Sequence, residues 1–222
     1  MTLARILEPE LMDTEEDAEE YHAMDFSEPD RRFAEEALRL LLPGGTPEVA
    51  DFGTGTAKIP VLMCQRRPGL RVLALDPARE MLRVATRHVA EHGLAGSITL
   101  ARMDGRATKL ASGRFDAVLC NSTVHHMHAP LALFRELKRV LRPGGAVLIR
   151  DLLRPASMEA AWSLVKTVAA GDTMKQQQLF FDSLCAALTL DEVRSLLVDA
   201  GWAELTPIQI SDRHWSVERR AT

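Results

Sequence analysis

The chain has 222 residues, of which 46% are hydrophobic and 26% are charged, and its net charge at neutral pH is −4. This length and composition are typical of one globular domain and exclude a disordered, collagen-like or coiled-coil protein. The pI of about 6.0 gives no overall basic field, which argues against a nucleic-acid partner.

The first predicted element is an acidic front. Residues 1–36 carry thirteen Asp or Glu side chains and three Arg, whereas the remainder of the chain is net positive. Residues 10–26 are predicted to be helical, and we interpret residues 1–46 as an acidic helical cap or lid. A lid of this charge would favour a cationic or neutral small molecule. The alternative is a solvated acidic surface that serves only solubility.

From residue 47 onward, short apolar runs alternate with amphipathic segments. Runs of four to six apolar residues suit strands that are covered on both faces of a parallel sheet. The alternation predicts a doubly wound α/β domain, Rossmann-like, over residues 47–222. The predicted strands of this sheet are Glu48–Phe52, Arg71–Asp76, Ile98–Arg102, Phe115–Cys120 and Ala146–Ile149.

Two later segments differ from this alternation. Residues 155–188 are long and helix-like, and we interpret them as a helical lid insertion. The tail pieces Ala203–Ser211 and His214–Arg219 have only a short turn between them, so they are predicted to pair antiparallel.

Cysteine usage and hydropathy indicate the cellular compartment of the protein. Cys64, Cys120 and Cys185 are widely spaced without a CxxC pair, which is typical of reduced thiols. The beginning of the chain has no long apolar segment of a secretory signal. The longest uncharged stretch, Ala117–Phe134, contains three His and a Pro and is not a membrane span. We therefore expect a soluble cytoplasmic protein without a membrane partner.

A glycine-rich turn follows the first predicted strand. Gly53 and Gly55 allow the backbone to turn sharply and to approach a ligand at the position where open α/β sheets bind cofactors. A turn that is glycine-rich by chance is the alternative. Asp76 ends the second strand, where an acid can bond ribose hydroxyls. It also fits a helix N-cap followed by Pro77, and both interpretations can hold together.

Polar residues end the next two strands as well. Asp104 and Asn121 close the third and fourth strands, so four neighbouring strand ends form one polar cleft edge. Lys58 occupies the slot of the third glycine in a dinucleotide fingerprint, and Asp51 would repel a pyrophosphate. This pattern favours an adenosine without phosphates that carries a cationic amino-acid end. A dinucleotide-dependent oxidoreductase remains the rival interpretation.

Several different motifs follow one another along the chain. They are Asp51–Gly55, Leu75–Pro77 with Met81, Met103–Gly105, Phe115–Asn121, His125–Met127, Leu137–Gly145 and Ala200–Trp202. On these motifs, the chain from about Val49 to Arg219 resembles class I S-adenosylmethionine-dependent methyltransferases of the small-molecule type. The resemblance implies a seven-stranded sheet in the order 3-2-1-4-5-7-6, with strand seven antiparallel. Ala57 departs from the glycine that is common there.

The resemblance also implies S-adenosylmethionine as cofactor, with S-adenosylhomocysteine as product. Asp51 and the glycine turn would hold the methionine end, and Asp76 would bond the ribose. Asp104 would accept from the adenine amino group, and Asn121 would lie below the sulfonium. Met81 would lie near the adenine, or would serve core packing alone. The implied cofactor-binding residues are Asp51, Gly53, Thr54, Gly55, Asp76, Pro77, Met81, Asp104, Gly105 and Asn121.

Methyl transfer requires positioning of the acceptor and, for a hydroxyl or ammonium acceptor, a base. Candidate catalytic residues are His125, His126, Asp151 and Tyr21. Asp151 is either a substrate anchor or a strand-end acid that pairs with a neighbouring arginine, Arg150 or Arg154.

The cluster of three histidines in residues 125–128 raises the question of a metal. We predict none, because His125 and His126 are expected to point in different directions and no convincing carboxylate partner is evident.

The sequence at the end of the fourth predicted strand argues further against a nucleic-acid partner. It reads Asn121-Ser-Thr-Val124, without the proline and aromatic residue that would stack on a flipped base.

A cofactor-binding protein that transfers no methyl group remains a second rival interpretation. The acceptor molecule, its acceptor atom and the oligomeric state do not follow from the sequence.

Overall fold

The computed structural model describes residues 3–8 and 13–222. Within these residues the backbone forms seven strands in one sheet and eight α-helices. The strands are β1 (Glu48–Phe52), β2 (Arg71–Asp76), β3 (Ile98–Arg102), β4 (Phe115–Asn121), β5 (Leu141–Leu152), β6 (Ile208–Gln209) and β7 (His214–Arg219). The helices are α1 (Glu15–Ala23), α2 (Ser27–Leu40), α3 (Lys58–Arg66), α4 (Arg79–Glu91), α5 (Leu131–Val140), α6 (Met158–Val168), α7 (Met174–Ala186) and α8 (Leu190–Asp199).

The strand order is β3-β2-β1-β4-β5-β7-β6, which confirms the predicted topology. The first five strands pair in parallel, and β7 pairs antiparallel with both β5 and β6. β6 is much shorter than the predicted piece Ala203–Ser211. Pro207 has no N–H to donate to a ladder, and short edge strands protect a sheet from pairing with other chains.

Helices cover both faces of the sheet. The apolar runs of β1 and β4 are almost entirely buried, as a parallel sheet covered on both sides requires. One face packs against α5 and α8, and a capping box of Thr189 and Glu192 begins α8. The other face packs against α2 and α3, with Phe33, Leu40 and Met63 among its buried side chains.

The front of the chain divides into two parts. α2 belongs to the core, since Phe33, Ala34 and Ala37 on it are at most 1% exposed. α1 lies outside that core and packs against α4, where Glu19 pairs with Arg83 and Arg87 at 2.9 and 2.7 Å. Residues 10–12 of the predicted acidic helix lie outside the described residues. Any movable cover in this region is therefore α1 rather than the whole front.

Two further properties of the structure concern its helices and its cysteines. Among the described residues, no helix combines the length and the apolar character that a membrane crossing requires. The three cysteines are free and buried.

A buried carboxylate anchors the loop after β3. Glu136 on α5 is 7% exposed and accepts a hydrogen bond of 2.9 Å from the Thr108 backbone N–H, and a second from the Thr108 hydroxyl. Arg139 donates to the same carboxylate at 2.7 Å. The Arg139 guanidinium, followed by Thr108, lowers the pKa of Glu136 to about 2 despite its burial.

We expect Glu136→Gln to lower the free energy of unfolding by about 1–3 kcal/mol at pH 7, because charged hydrogen bonds are lost in a buried site. The folded pKa lies below the ordinary 4.5, so this contribution is present above pH 4.5 and is lost as the pH falls toward 2. Urea unfolding at pH 7 and pH 3 should therefore show a smaller difference at pH 3. An equal difference at both pH values would contradict the assignment, and Glu35→Gln on the exposed face of α2 is the control.

Candidate functional site

The turn after β1 is shaped by residues with positive φ. Gly53, Gly55 and Ala57 have φ of 75°, 54° and 60°. The backbone N–H groups of Gly53 and Thr54 both donate to the Leu75 carbonyl at 2.9 Å. The turn is thereby fixed to the end of β2. Ala57 adopts the left-handed conformation that a glycine would adopt more easily, and α3 begins directly after it.

Asp76 connects the two strand ends. One carboxylate oxygen accepts from the Gly55 N–H at 2.8 Å, and the other accepts from the Ala78 N–H at 2.9 Å. The predicted N-cap role of Asp76 is wrong, because α4 begins at Arg79 with Ala78 as its N-cap. Two bonds leave acceptor capacity on both oxygens. Asp76 is 7% exposed, it lines a cavity, and burial raises its pKa.

Asp51 is a second acid at this strand edge and is buried more deeply. Its side chain is 3% exposed, and burial raises its pKa to about 7. A carboxyl group with this pKa changes its charge near neutral pH, so a nearby cation would shift it to the ionised form.

The cavity at this edge has a volume of about 200 Å³. Apolar side chains form much of its wall, with Phe52, Met103 and Leu133 on one side and Met81 of α4 on another. Tyr21 of α1 also lines the cavity, and a Cβ atom at Gly55 would lie 3.5 Å from its ring. α1 therefore lies directly over the glycine turn.

Many residues implied by the sequence do line this cavity. They are Gly53, Gly55, Asp76, Pro77, Met81, Asp104 and Gly105 for the cofactor, and Tyr21 and His126 among the catalytic candidates. As far as residues 3–8 and 13–222 show, the lining does not include Asp51, Thr54, Asn121, His125 or Asp151. Asn121 is replaced at the wall by the two residues that follow it, Ser122 and Thr123.

Sequence reasoning missed other lining residues. They are Phe52, Ala78, Met103, Arg106, Ser122, Thr123, Met127 and Leu133. Phe52, Met103 and Met127 lie within the quoted motifs, and Ala78, Arg106 and Ser122 directly follow one, so the motifs themselves were the available signal. Arg106 donates to Asp104 at 2.8 Å and lowers its pKa, so the Asp104 carboxylate already has a cationic partner.

Asp151 shapes the turn on the opposite side of the cavity. It is 1% exposed and accepts from the backbone N–H groups of Thr123 and Val124 at 2.9 and 2.5 Å. Its other oxygen lies 2.5 Å from Nδ1 of His125. The prediction of a substrate anchor is wrong, because this carboxylate is buried and its oxygens are bound within the protein.

The predicted arginine partners of Asp151 are also wrong. Arg150 lies 3.6 Å from Glu218, and Arg154 lies 2.6 Å from Glu192. Successive residues of a strand point to opposite faces of the sheet, so Arg150 projects away from Asp151.

The segment of residues 3–8 brings a carboxylate to the histidines. Arg5 donates to the carbonyls of His125 and Met127 at 3.0 and 2.8 Å, which fixes the segment beside the turn. One Glu8 oxygen then lies 2.8 Å from His126 Nδ1 and 3.6 Å from His125 Nε2. The expectation that the two imidazoles point in different directions without a carboxylate partner was wrong.

Tyr21 is a poor candidate for a base. Burial raises the pKa of its hydroxyl above the ordinary value, so the phenol stays protonated at neutral pH. Its ring packs 5.5 Å from that of Phe26, and its place in the wall suits a covering role.

Residues 50–149 match a protein family described as "Methyltransferase domain". The chain is 33% identical to a ubiquinone biosynthesis O-methyltransferase of Xanthomonas campestris over 126 residues, which cover 56% of this chain and 51% of that protein. It is 28% identical to a demethylmenaquinone methyltransferase of Bacteroides fragilis over 126 residues, which cover 57% of this chain and 51% of that protein. The matched region thus spans about half the length of both relatives.

The fold is shared with solved structures. A SAM-dependent methyltransferase from Aquifex aeolicus superimposes with a TM-score of 0.64 at 20% identity, over 92% of this chain and 97% of that chain.

We expect Gly53→Ala to destabilise the protein by more than Gly93→Ala. Both glycines have positive φ, so each alanine costs about 1–2 kcal/mol in backbone strain. At Gly53 the added Cβ would also overlap the Thr123 side chain, whereas nothing lies within 4 Å at Gly93. Thermal unfolding of the two variants isolates this packing contribution. Equal losses would show that Thr123 moves aside freely.

Proposed function

We propose that the chain carries a class I S-adenosylmethionine-dependent methyltransferase domain and that it methylates a small molecule by direct displacement. The observation that supports this most strongly is Asp76. Its buried carboxylate holds the N–H groups of Gly55 and Ala78 and still faces the cavity with acceptor capacity for two hydroxyl groups. A ribose presents such a pair of hydroxyls.

The cavity wall suits the adenosine part of the cofactor. Phe52, Met81 and Met103 offer apolar surface to a flat base, and polar groups lie at the margin of that surface. S-adenosylmethionine, when bound, supplies a methyl group on a positively charged sulfur. The work of the protein is then to bind this cation, exclude water and hold the acceptor in line.

Asp51 is proposed to orient the charged end of the cofactor. A buried acid with a pKa of about 7 gains most from a cation placed near it, because the cation offsets the penalty of ionisation in a buried site. The glycine turn between Asp51 and the cavity contributes Gly53 and Gly55 to the cavity wall near the same end.

α1 is proposed to act as the movable cover. The cavity of about 200 Å³ is smaller than the ~300–1,000 Å³ typical of ligand pockets, and Tyr21 of α1 forms part of its lining. Admission of a complete cofactor then requires α1 to move away from the glycine turn. The exposed ion pairs of Glu19 with Arg83 and Arg87 are weak enough to open and reform. Residues 155–188, which form α6 and α7, are proposed as the second part of this cover.

We propose a neutral rather than a cationic acceptor. Four of the five acids of α1 have basic partners, so they do not select a cation. Glu15 and Glu19 pair with arginines, and Glu16 and Glu20 lie beside Lys175. Met127 and Leu133 give the cavity wall an apolar character. Relatives named for demethylmenaquinone and ubiquinone biosynthesis are consistent with this choice.

Among the catalytic candidates, His126 is proposed to contact the acceptor, because it lines the cavity with 27% of its side chain exposed. His125 and Asp151 lie behind it and are proposed to position the turn. A cytoplasmic location and the absence of a nucleic-acid partner stay proposals.

The rival dinucleotide-dependent oxidoreductase receives no support at the glycine turn. The Lys58 ammonium, at the start of α3, donates to the Met24 carbonyl at 2.9 Å. The deciding experiment compares stabilisation of the protein by S-adenosylhomocysteine and by NAD. It then follows transfer of labelled methyl groups to a panel of neutral phenols and quinols. Stabilisation by NAD alone would overturn the proposal, and binding without transfer would favour a non-catalytic protein.

We expect Asp76→Ala to weaken binding of S-adenosylhomocysteine by about 1.5–3 kcal/mol, the value of hydrogen bonds to a charged group. Isothermal titration calorimetry measures the loss. Asp191→Ala is the control, because the Asp191 side chain is 93% exposed on α8. An unchanged affinity for the Asp76 variant would restrict that residue to holding the glycine turn.

Cofactor affinity should depend on pH through Asp51. The free protein holds Asp51 with a pKa of about 7, and the bound cation lowers that value. Binding therefore releases a proton, and affinity should fall by up to about tenfold per pH unit below pH 7. Titrations of S-adenosylhomocysteine between pH 5.5 and 8 measure this slope, and Asp51→Asn should flatten it. A slope that persists in the Asn variant would point to another group.

A further inference from the structure

Three side chains converge beside the cavity without a role in cofactor binding. Glu8, His125 and His126 each offer one donor atom, and these atoms all lie within 4.8 Å of one another. The side chains of Glu8 and His125 are only 10% and 5% exposed. The two imidazole rings are 4.0 Å apart at 38°, so they lie side by side next to one carboxylate.

The surroundings fix these donors. His125 directs Nδ1 at Asp151 over 2.5 Å, which leaves Nε2 available on the side of Glu8. A histidine that ligates a metal almost always has its second nitrogen held by a carboxylate or carbonyl in this way. Ser183 donates to the Glu8 carboxylate at 3.2 Å and holds it from the other side.

We propose that Glu8, His125 and His126 form a binding site for a divalent first-row transition-metal ion such as Zn²⁺. Two imidazoles and one carboxylate are the ligand set of three-ligand catalytic zinc sites and of non-haem iron sites. Metal–ligand distances of about 2.0–2.2 Å place neighbouring donors about 3–3.5 Å apart. The observed 2.8 and 3.6 Å bracket this range, so small side-chain adjustments suffice.

The location gives the site access to small molecules. His126 lines the cavity, so the ion lies at the cavity wall rather than within the core. Three protein ligands leave at least one coordination position for water or for an oxygen of a molecule in the cavity. This inference concerns metal binding and does not depend on methyl transfer.

A simpler account of the same geometry is an ion pair that holds residues 3–8 against the turn. The two accounts predict different metal binding by the full chain. An ion pair needs only Glu8 and a protonated His126, whereas a metal site needs all three side chains with neutral imidazoles.

The test is equilibrium dialysis of the full chain, first treated with a chelator, against Zn²⁺. We expect one tightly bound Zn²⁺ per chain, with affinity lowered at least about tenfold by Glu8→Gln and by His126→Asn. His92→Gln, at the residue directly after α4, is the matched control and should bind as the unchanged protein does. Circular dichroism confirms that each variant is folded, and Glu8→Gln keeps the shape of the side chain.

Co²⁺ serves as a spectroscopic probe of the same site. Visible d–d bands of four- or five-coordinate Co²⁺ with nitrogen and oxygen ligands should appear in the unchanged protein and disappear in Glu8→Gln. Zn²⁺ uptake that is equal in all four proteins would overturn the proposal and leave an ion pair. A sulfur-to-cobalt charge-transfer band would also overturn it, because the ion would then be bound by cysteine.

Discussion

The parallel pairing of β1 with β2 and β4 brings three strand ends to one edge of the sheet. Phe52 at the end of β1 pairs with Leu75 on one side and with Cys120 on the other. Every chain segment that leaves these strands must turn at the same edge, and each turn presents backbone N–H groups there. The cavity exists because the turns separate from one another at that edge, as they do wherever the strand order of an open α/β sheet reverses.

Buried carboxylates then give each turn its form. The Asp76 carboxylate accepts hydrogen bonds from the N–H groups of two different turns, and the Asp151 carboxylate accepts from those of a single turn. Both side chains therefore hold the backbone of these turns in place. Asp51 differs, because burial leaves its pKa at about 7. Asp151 is compensated inside the protein and has a lowered pKa, whereas Asp76 faces the cavity with acceptor capacity left over. Asp151 is thus a structural acid, and Asp76 and Asp51 are the acids that we propose to bind a ligand.

Local sequence pattern was sufficient for the α/β sheet and its antiparallel tail. The strand order and the seven cofactor-side lining residues followed from the resemblance of the motifs to a methyltransferase family. The failures around Asp151 and His126 are nonlocal. The partner of Asp151 is a histidine 26 residues away, and the carboxylate beside His126 comes from residue 8. No spacing rule relates such positions, because only the completed fold brings them together.

The N-terminal segment has a consequence for how the protein assembles. Arg5 is bound to carbonyls 120 and 122 residues away, and Glu8 to Ser183, which is 175 residues distant. Contacts of such sequence separation require the closure of long loops, which has an entropic cost. During synthesis residues 3–8 leave the ribosome before their partners have been made. The histidine side of the cavity can therefore be completed only after Ser183 has been synthesised.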